Sequence, residues 1–195
     1  MKSNFFRRVG AYLLDSFIVI FILSLITMGF ESNSKLIDEA NGLLNSYANQ
    51  EITISEYNDK VMNINYELQK ENVWVNRISC ALYAGYFILF AYFNNGQTIG
   101  KKVFKIRIVD KDNNKIKFRQ IFIRSIFIYG IMSSFYSSVF INFLSVNTFN
   151  VIASGISYIE YTFIIVCFFM VLYKKDKRGL HDIISGTLIR DDIKK

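Results

Sequence analysis

The sequence predicts an all-α membrane protein with four transmembrane helices, both termini cytoplasmic, a small cytoplasmic β-hairpin and an extracytoplasmic helical loop. Three observations carry that expectation. Of the 195 residues, 52% are hydrophobic and 16% aromatic, more than one soluble core of this size encloses. Four apolar stretches reach the length that crosses a bilayer, about 20 residues at about 1.5 Å each. Lysine and arginine gather in alternate connecting segments, the pattern that orients membrane spans. The chain reads as one membrane domain over residues 1–195.

The first span is read over Val9 to Phe30. Its basic start and apolar run resemble a signal peptide, but the run exceeds the usual apolar region and ends in Met28, Gly29 and Phe30 without a small-residue cleavage site. It is therefore expected to stay as a helix. The next spans are read over Trp74 to Phe93, Ser125 to Ser145 and Val151 to Tyr173. Residues 1–8 carry Lys2, Arg7 and Arg8, residues 94–120 carry eight basic residues against two acidic, and the tail from Lys174 carries seven against four. The segment 31–72 has three lysines against eight acids. By the positive-inside rule the basic segments belong in the cytoplasm and the acidic one outside, together with the short link "SVNTFNVI".

The connecting segments carry their own patterns. In the acidic segment Leu36, Ala40, Leu43, Leu44 and Tyr47 recur at helical spacing, and so do Tyr57, Val61, Ile64 and Leu68 after Ser55 as a candidate N-cap. Two amphipathic helices on the outer surface are expected there. In the basic loop "KIRIV" and "KIKFR" alternate across "DKDNN", which predicts a hairpin turning Lys105, Arg107, Lys117 and Arg119 toward anionic headgroups. Leu180, Ile183 and Ile184 predict a short helix in the membrane interface. Small residues at four-residue spacing, Ala81 with Gly85, Ser133 with Ser137 and Gly130 with Ser134, mark where helices approach closely.

Several function classes find no support. The net charge of +7 lies in blocks between apolar runs and forms no stripe, so nucleic acid is not an expected partner. Cys80 and Cys167 sit in apolar runs and indicate neither a disulfide framework nor a metal site. "GQTIGKK" departs from a phosphate loop, with one residue too few between the glycines and Lys102 where a hydroxyl would hold magnesium. His181 next to Asp182 reads as a turn or cap, and no catalytic motif or cofactor signature accompanies it. No enzyme activity and no cofactor are expected.

The chemistry-bearing candidates are the ionisable residues inside apolar runs. Asp15 lies roughly 9 Å below the start of its span, and Arg8 stands two helical turns before it on the same face. Asp15 is either a structural residue held by Arg8 or a hairpin cation, or the group that binds a proton, a cation or a polar solute. Glu160 falls near the midplane of the last span, with Ser157 and Ser154 above it. It is either a neutral acid bonded to a neighbouring helix or a partner of Asp15 in one ion site.

Together these residues resemble the RDD family of bacterial membrane proteins, named for one arginine and two aspartates. The first-span pattern stands here as Arg8, Ala11 and Asp15, and the glycine-rich loop entry as Gly96, Gln97, Thr98, Gly100 and Lys101. The C-terminal element stands as His181, Asp182, Gly186 and Thr187. The resemblance implies a multi-pass protein of the bacterial plasma membrane, transport of unidentified ligands, and sodium/proton exchange in some members. It makes Gln97, Thr98 and Asp182 candidates for a polar cluster over the Arg8 and Asp15 end of the first helix. The segment 31–72 reads as an insertion beyond the family core, and Glu160 matches none of the family motifs. The expected function is transport of a cation or small polar solute coupled to protons through Asp15, in an oligomer because four spans are few for a carrier. The alternative is a non-transporting scaffold whose Arg and Asp motifs only lock the fold.

Overall fold

The structure is a computed structural model and describes residues 4–30, 34–112 and 115–192. Three helices are long and apolar enough to cross a membrane: α1 (Phe5–Thr27), a second over Val73–Phe93 and a third over Val146–Tyr173. Between the first two lie α2 (Ser34–Ala48) and α3 (Ile54–Glu71), and the Val73–Phe93 helix is α4. After it come α5 (Ile99–Val103), β1 (Ile106–Asp110), α6 (Phe118–Ile126) and α7 (Ile131–Phe140). The Val146–Tyr173 helix is α8, followed by α9 (Leu180–Ile184) and β2 (Thr187–Asp191). Leu13, Phe17, Ile20 and Phe21 on α1, and Ile159, Ile165 and Phe169 on α8, stay exposed, as apolar side chains facing lipid do.

The third expected span is not one helix. It is broken into α6 and α7 by Gly130, whose φ of 65° lies in the left-handed region that a side chain disfavours. At about 1.5 Å per residue, the ten residues of α7 reach only half-way through a hydrocarbon core of about 30 Å. Such a break is tolerated at depth only where neighbours satisfy the freed backbone groups. Here Glu160 of α8 does so, its Oε1 accepting from the Ser133 amide at 3.3 Å. α7 packs most closely of all against the first part of α4, where Ala81 lies, in keeping with the small residues on these two helices.

The acidic segment forms the two expected helices, which pack on each other through Tyr47 and Tyr57, ring centroids 5.2 Å apart. Thr53 rather than Ser55 caps the second: its Oγ1 accepts from the Glu56 amide, and Glu56 accepts in return from the Thr53 amide at 2.8 Å. Only Thr53 has a glutamate three residues on, which is what a reciprocal cap requires. Tyr66 anchors α3 by donating to the carbonyls of Ile141 and Leu144.

The expected hairpin is corrected in its partner. β1 forms over the predicted residues with Ile106 and Ile108 inward, but it pairs antiparallel with β2, Ile106 opposite Asp191 and Asp110 opposite Thr187. The "KIKFR" stretch instead leads into α6, with Lys117 at its N-cap. The reason is periodicity: Ile121, Arg124 and Ser125 are buried at helical spacing, so a helix covers that face and a strand would not. Asn113 and Asn114 of the expected turn lie outside the described residues, as do Lys2 and Glu31. Lys105, Lys117 and Arg119 are exposed as expected. The tail does form the short helix α9, and then continues into β2 instead of ending in the interface. Ala11, Ile106 and Ile189 pack together, which seats the two-stranded sheet against α1.

Candidate functional site

α1 presents Arg8, Ala11, Asp15 and Val19 along one face, and Ala11, Asp15 and Val19 are fully buried. Arg8 and Asp15 share that face but not a partner. The Asp15 carboxylate accepts from the Tyr86 hydroxyl at 2.6 Å, the Thr98 hydroxyl at 2.5 Å and the Gly100 amide at 2.7 Å. The Lys101 ammonium lies 3.8 Å away. The expected pairing of Asp15 with Arg8 is therefore replaced by a cage from α4 and α5. Gly100 makes that cage: a side chain there would stand 2.4 Å from the Ala11 carbonyl oxygen, so only glycine lets α5 lie on α1. The π-helical turn Gly85–Phe90 within α4 brings Tyr86 over the carboxylate, and the Phe87 carbonyl accepts from Ser125 Oγ.

Lys101 is buried at 5% exposure, with Thr98 Oγ1 at 3.1 Å and the Tyr129 hydroxyl at 3.4 Å as its other neighbours. Burial pushes its ammonium down to about 8 from the ordinary 10.5, against the pull of Asp15.

Arg8 reaches to the other end of the chain. Its guanidinium donates to the carbonyls of Lys177 and Ile189 and lies 3.5 Å from Asp182 Oδ2. Arg124 donates to Asp182 Oδ1 and to Thr187 Oγ1, so one buried carboxylate is clamped between two guanidiniums. Burial alone would raise Asp182, yet Arg124 and Arg8 outweigh it and hold the carboxyl at about 2. His181 is buried beside it, its Nε2 3.4 Å from Asp182 Oδ2, and burial pushes the imidazole down to about 3, so it stays neutral. Gln97 ties the loop to the tail, donating to the Ile106 carbonyl and to Asp192. Thr187 closes the clamp through Asp182 Oδ1 at 3.4 Å.

Two cavities flank this core. One, of about 290 Å³, is reached by the side chains of Arg8, Lys101, Arg124 and His181. The other, of about 370 Å³, holds Glu160 with Ser16, Ser133 and Ser157. Tyr12 and Tyr129 line both, stacked with ring centroids 5.7 Å apart, and Tyr129 stacks in turn on Phe87. Glu160 lines the second cavity and Asp15 lines neither. Among the described residues no group of His, Cys, Asp and Glu is placed to hold a metal.

Three motifs far apart in the chain thus meet in one buried cluster. The model of the RDD family matches residues 2–186. The chain belongs to the RDD family. No curated protein and no solved structure matches it. As an RDD chain with three membrane-length helices it is an integral membrane protein. The motif residues of this RDD chain divide into a cage around Asp15 and a clamp around Asp182. Arg124, Tyr86 and Tyr129 complete them and were not among the sequence candidates. Arg124 has a signal, a lone cation in the apolar run "IFIRSIFI", whereas the two tyrosines have none beyond being aromatic.

Proposed function

We propose that this protein exchanges a small cation for a proton across the membrane at the Asp15–Lys101 pair. The observation that carries the reading is the pair itself, a buried carboxylate and ammonium 3.8 Å apart with only hydroxyls, one amide and apolar walls around them. The Thr98 and Tyr86 oxygens beside the carboxylate are the hard ligands that an alkali cation takes. A cation on Asp15 leaves the ammonium without its counter-charge, and Lys101 then releases a proton. The pair keeps its total charge either way, which is what couples one ion to the other.

The two cavities and the tyrosine pair between them support a route from this pair toward Glu160. The basic loop and tail favour a cytoplasmic location for the Lys101 end, in the plasma membrane. An oligomer is the working unit we favour, since so few spans rarely carry out alternating access alone.

Purified protein in liposomes should show sodium-driven proton flux that disappears in Asp15→Asn and becomes uncoupled from protons in Lys101→Met. Absence of flux under every gradient, or unchanged flux in a folded Asp15→Asn protein, would sink the transport reading. It would favour a scaffold in which cage and clamp only lock the helices, a role that the saturated bonding of Asp15 and Asp182 also suits.

A further inference from the structure

The smaller cavity lies between α1 and α8, whose Phe5 and Phe168 rings meet 5.2 Å apart at one edge. At about 290 Å³ it falls near the lower end of small-molecule sites, about 300 Å³ and upward. Its walls are of two kinds. Leu13, Ile164 and Phe168 contribute apolar surface, and Arg8, Lys101 and Arg124 contribute three cations. No carboxylate lines it among the described residues.

The carboxylates that face those cations stand behind the wall. Asp15 serves Lys101, and Asp182 serves both Arg8 and Arg124. Asp176 and Asp191 also act on Arg8, but no carboxylate among the described residues meets the three cations from the cavity side, where an anion would be most favoured. Arg8 Nε is also buried without a hydrogen-bond partner. Leu13 is 60% and Phe168 46% exposed, so the cavity is edged by residues of the lipid-facing surface and opens sideways toward it.

We infer that this cavity binds an anionic amphiphile, its phosphate or carboxylate head against Arg8, Lys101 and Arg124 and its alkyl chain leaving past Leu13 and Phe168 into the bilayer. The head supplies negative charge on the cavity side, where none of the described carboxylates stands, and the chain covers the apolar walls. A zwitterionic head brings its own cation to the same place and is disfavoured. The site shares Lys101 with the exchange pair but not the Asp15 carboxylate, and its test reads lipid retention and melting rather than ion flux, so failure of one reading is distinguishable from failure of the other.

The test uses the full-length protein in a neutral detergent, with thermal unfolding and native mass spectrometry as readouts. Phosphatidylglycerol should be retained and raise the melting temperature, with phosphatidylcholine at least about tenfold weaker and inorganic phosphate without effect. Dodecanoate added in place of lipid separates the sources: retention of phosphatidylglycerol alone assigns a bilayer lipid, and retention of dodecanoate alone assigns a free amphiphile. Ile164→Trp fills the cavity from its apolar wall and should remove the shift. Leu13→Trp, at the half-exposed mouth, serves if that variant does not fold. Equal binding of the two phospholipids, equal stabilisation by phosphate alone, or a shift that survives in the folded tryptophan variants would overturn the inference.

Discussion

Adding one methyl group at Gly100 and one at Gly155 should change stability in opposite directions. At Gly100 the new carbon would lie 2.4 Å from the Ala11 carbonyl oxygen and 2.8 Å from the Asp15 carboxylate. The obstacle is the backbone of α1, which has no rotamer to change, so α5 must move away. Overpacking of that kind costs about 1 to 3 kcal/mol. Moving α5 also stretches the 2.7 Å bond from the Gly100 amide to a carboxylate, a charge-assisted bond worth about 1.5 to 3 kcal/mol. For a chain of this size about 1 kcal/mol shifts melting by about 2 to 4 °C, so Gly100→Ala should melt on the order of 10 °C lower. Gly155 sits inside α8 with no heavy atom within 4 Å of an added carbon. Alanine there reduces the freedom of the unfolded chain at no steric cost and should gain about 0.5 to 1 kcal/mol. Thermal unfolding in neutral detergent, followed by size-exclusion of the heated sample, measures both. If Gly100→Ala melted within a degree of the parent, or both variants moved the same way, the close approach of α5 to α1 would be refuted.

Asp182→Asn leaves Arg8 and Arg124 without their shared counter-ion and should cost about 3 to 5 kcal/mol in thermal unfolding. The carboxyl is held at about 2 against an ordinary 3.8, so its contribution is full above the ordinary value and is lost as pH falls toward 2; the variant should flatten that acid limb. For Lys101 the slope has the same sign but the opposite cause, since burial disfavours its charged form. The unfolded chain keeps a proton between about 8 and 10.5 that the folded one has released, so stability should rise with pH across that window and the rise should vanish in Lys101→Met. Glu160→Gln keeps an acceptor for the Ser133 amide and should melt near the parent, whereas Glu160→Leu leaves that amide unpaired at about 1 to 3 kcal/mol.

Much of this arrangement was legible in the residues, and the gaps have physical causes. Periodicity and charge gave the long helices, the paired helices of the acidic segment and the strand at "KIRIV", because each depends on its own side chains. Spacing also placed Arg8 and Asp15 on one face, correctly, but a shared face does not decide which way a long side chain turns. Arg8 points toward Lys177, Asp182 and Ile189 in the tail, where two carbonyls and a carboxylate outbid one aspartate two turns away. The partner of β1 was hidden for the same reason, since "TLIRD" is too short to announce itself and pairs across the whole chain. The break at Gly130 was readable only as a small residue in an apolar run. What makes it stable is Glu160, thirty residues on, and the two are explained together: the acid that looked out of place in α8 is the cap of α7.

The clamp on Asp182 also orders events in the life of the chain. Arg8 and Arg124 both precede Asp182 along the chain, so in synthesis the two guanidiniums are made before the carboxylate that neutralises them. Until then the two guanidiniums lack the counter-ion they share in the folded chain. The clamp therefore closes only when α9 docks on α1 and α6. Joining Arg8, Arg124 and Asp182 from three distant segments makes the clamp a readout of completed folding, present only once all three are in place.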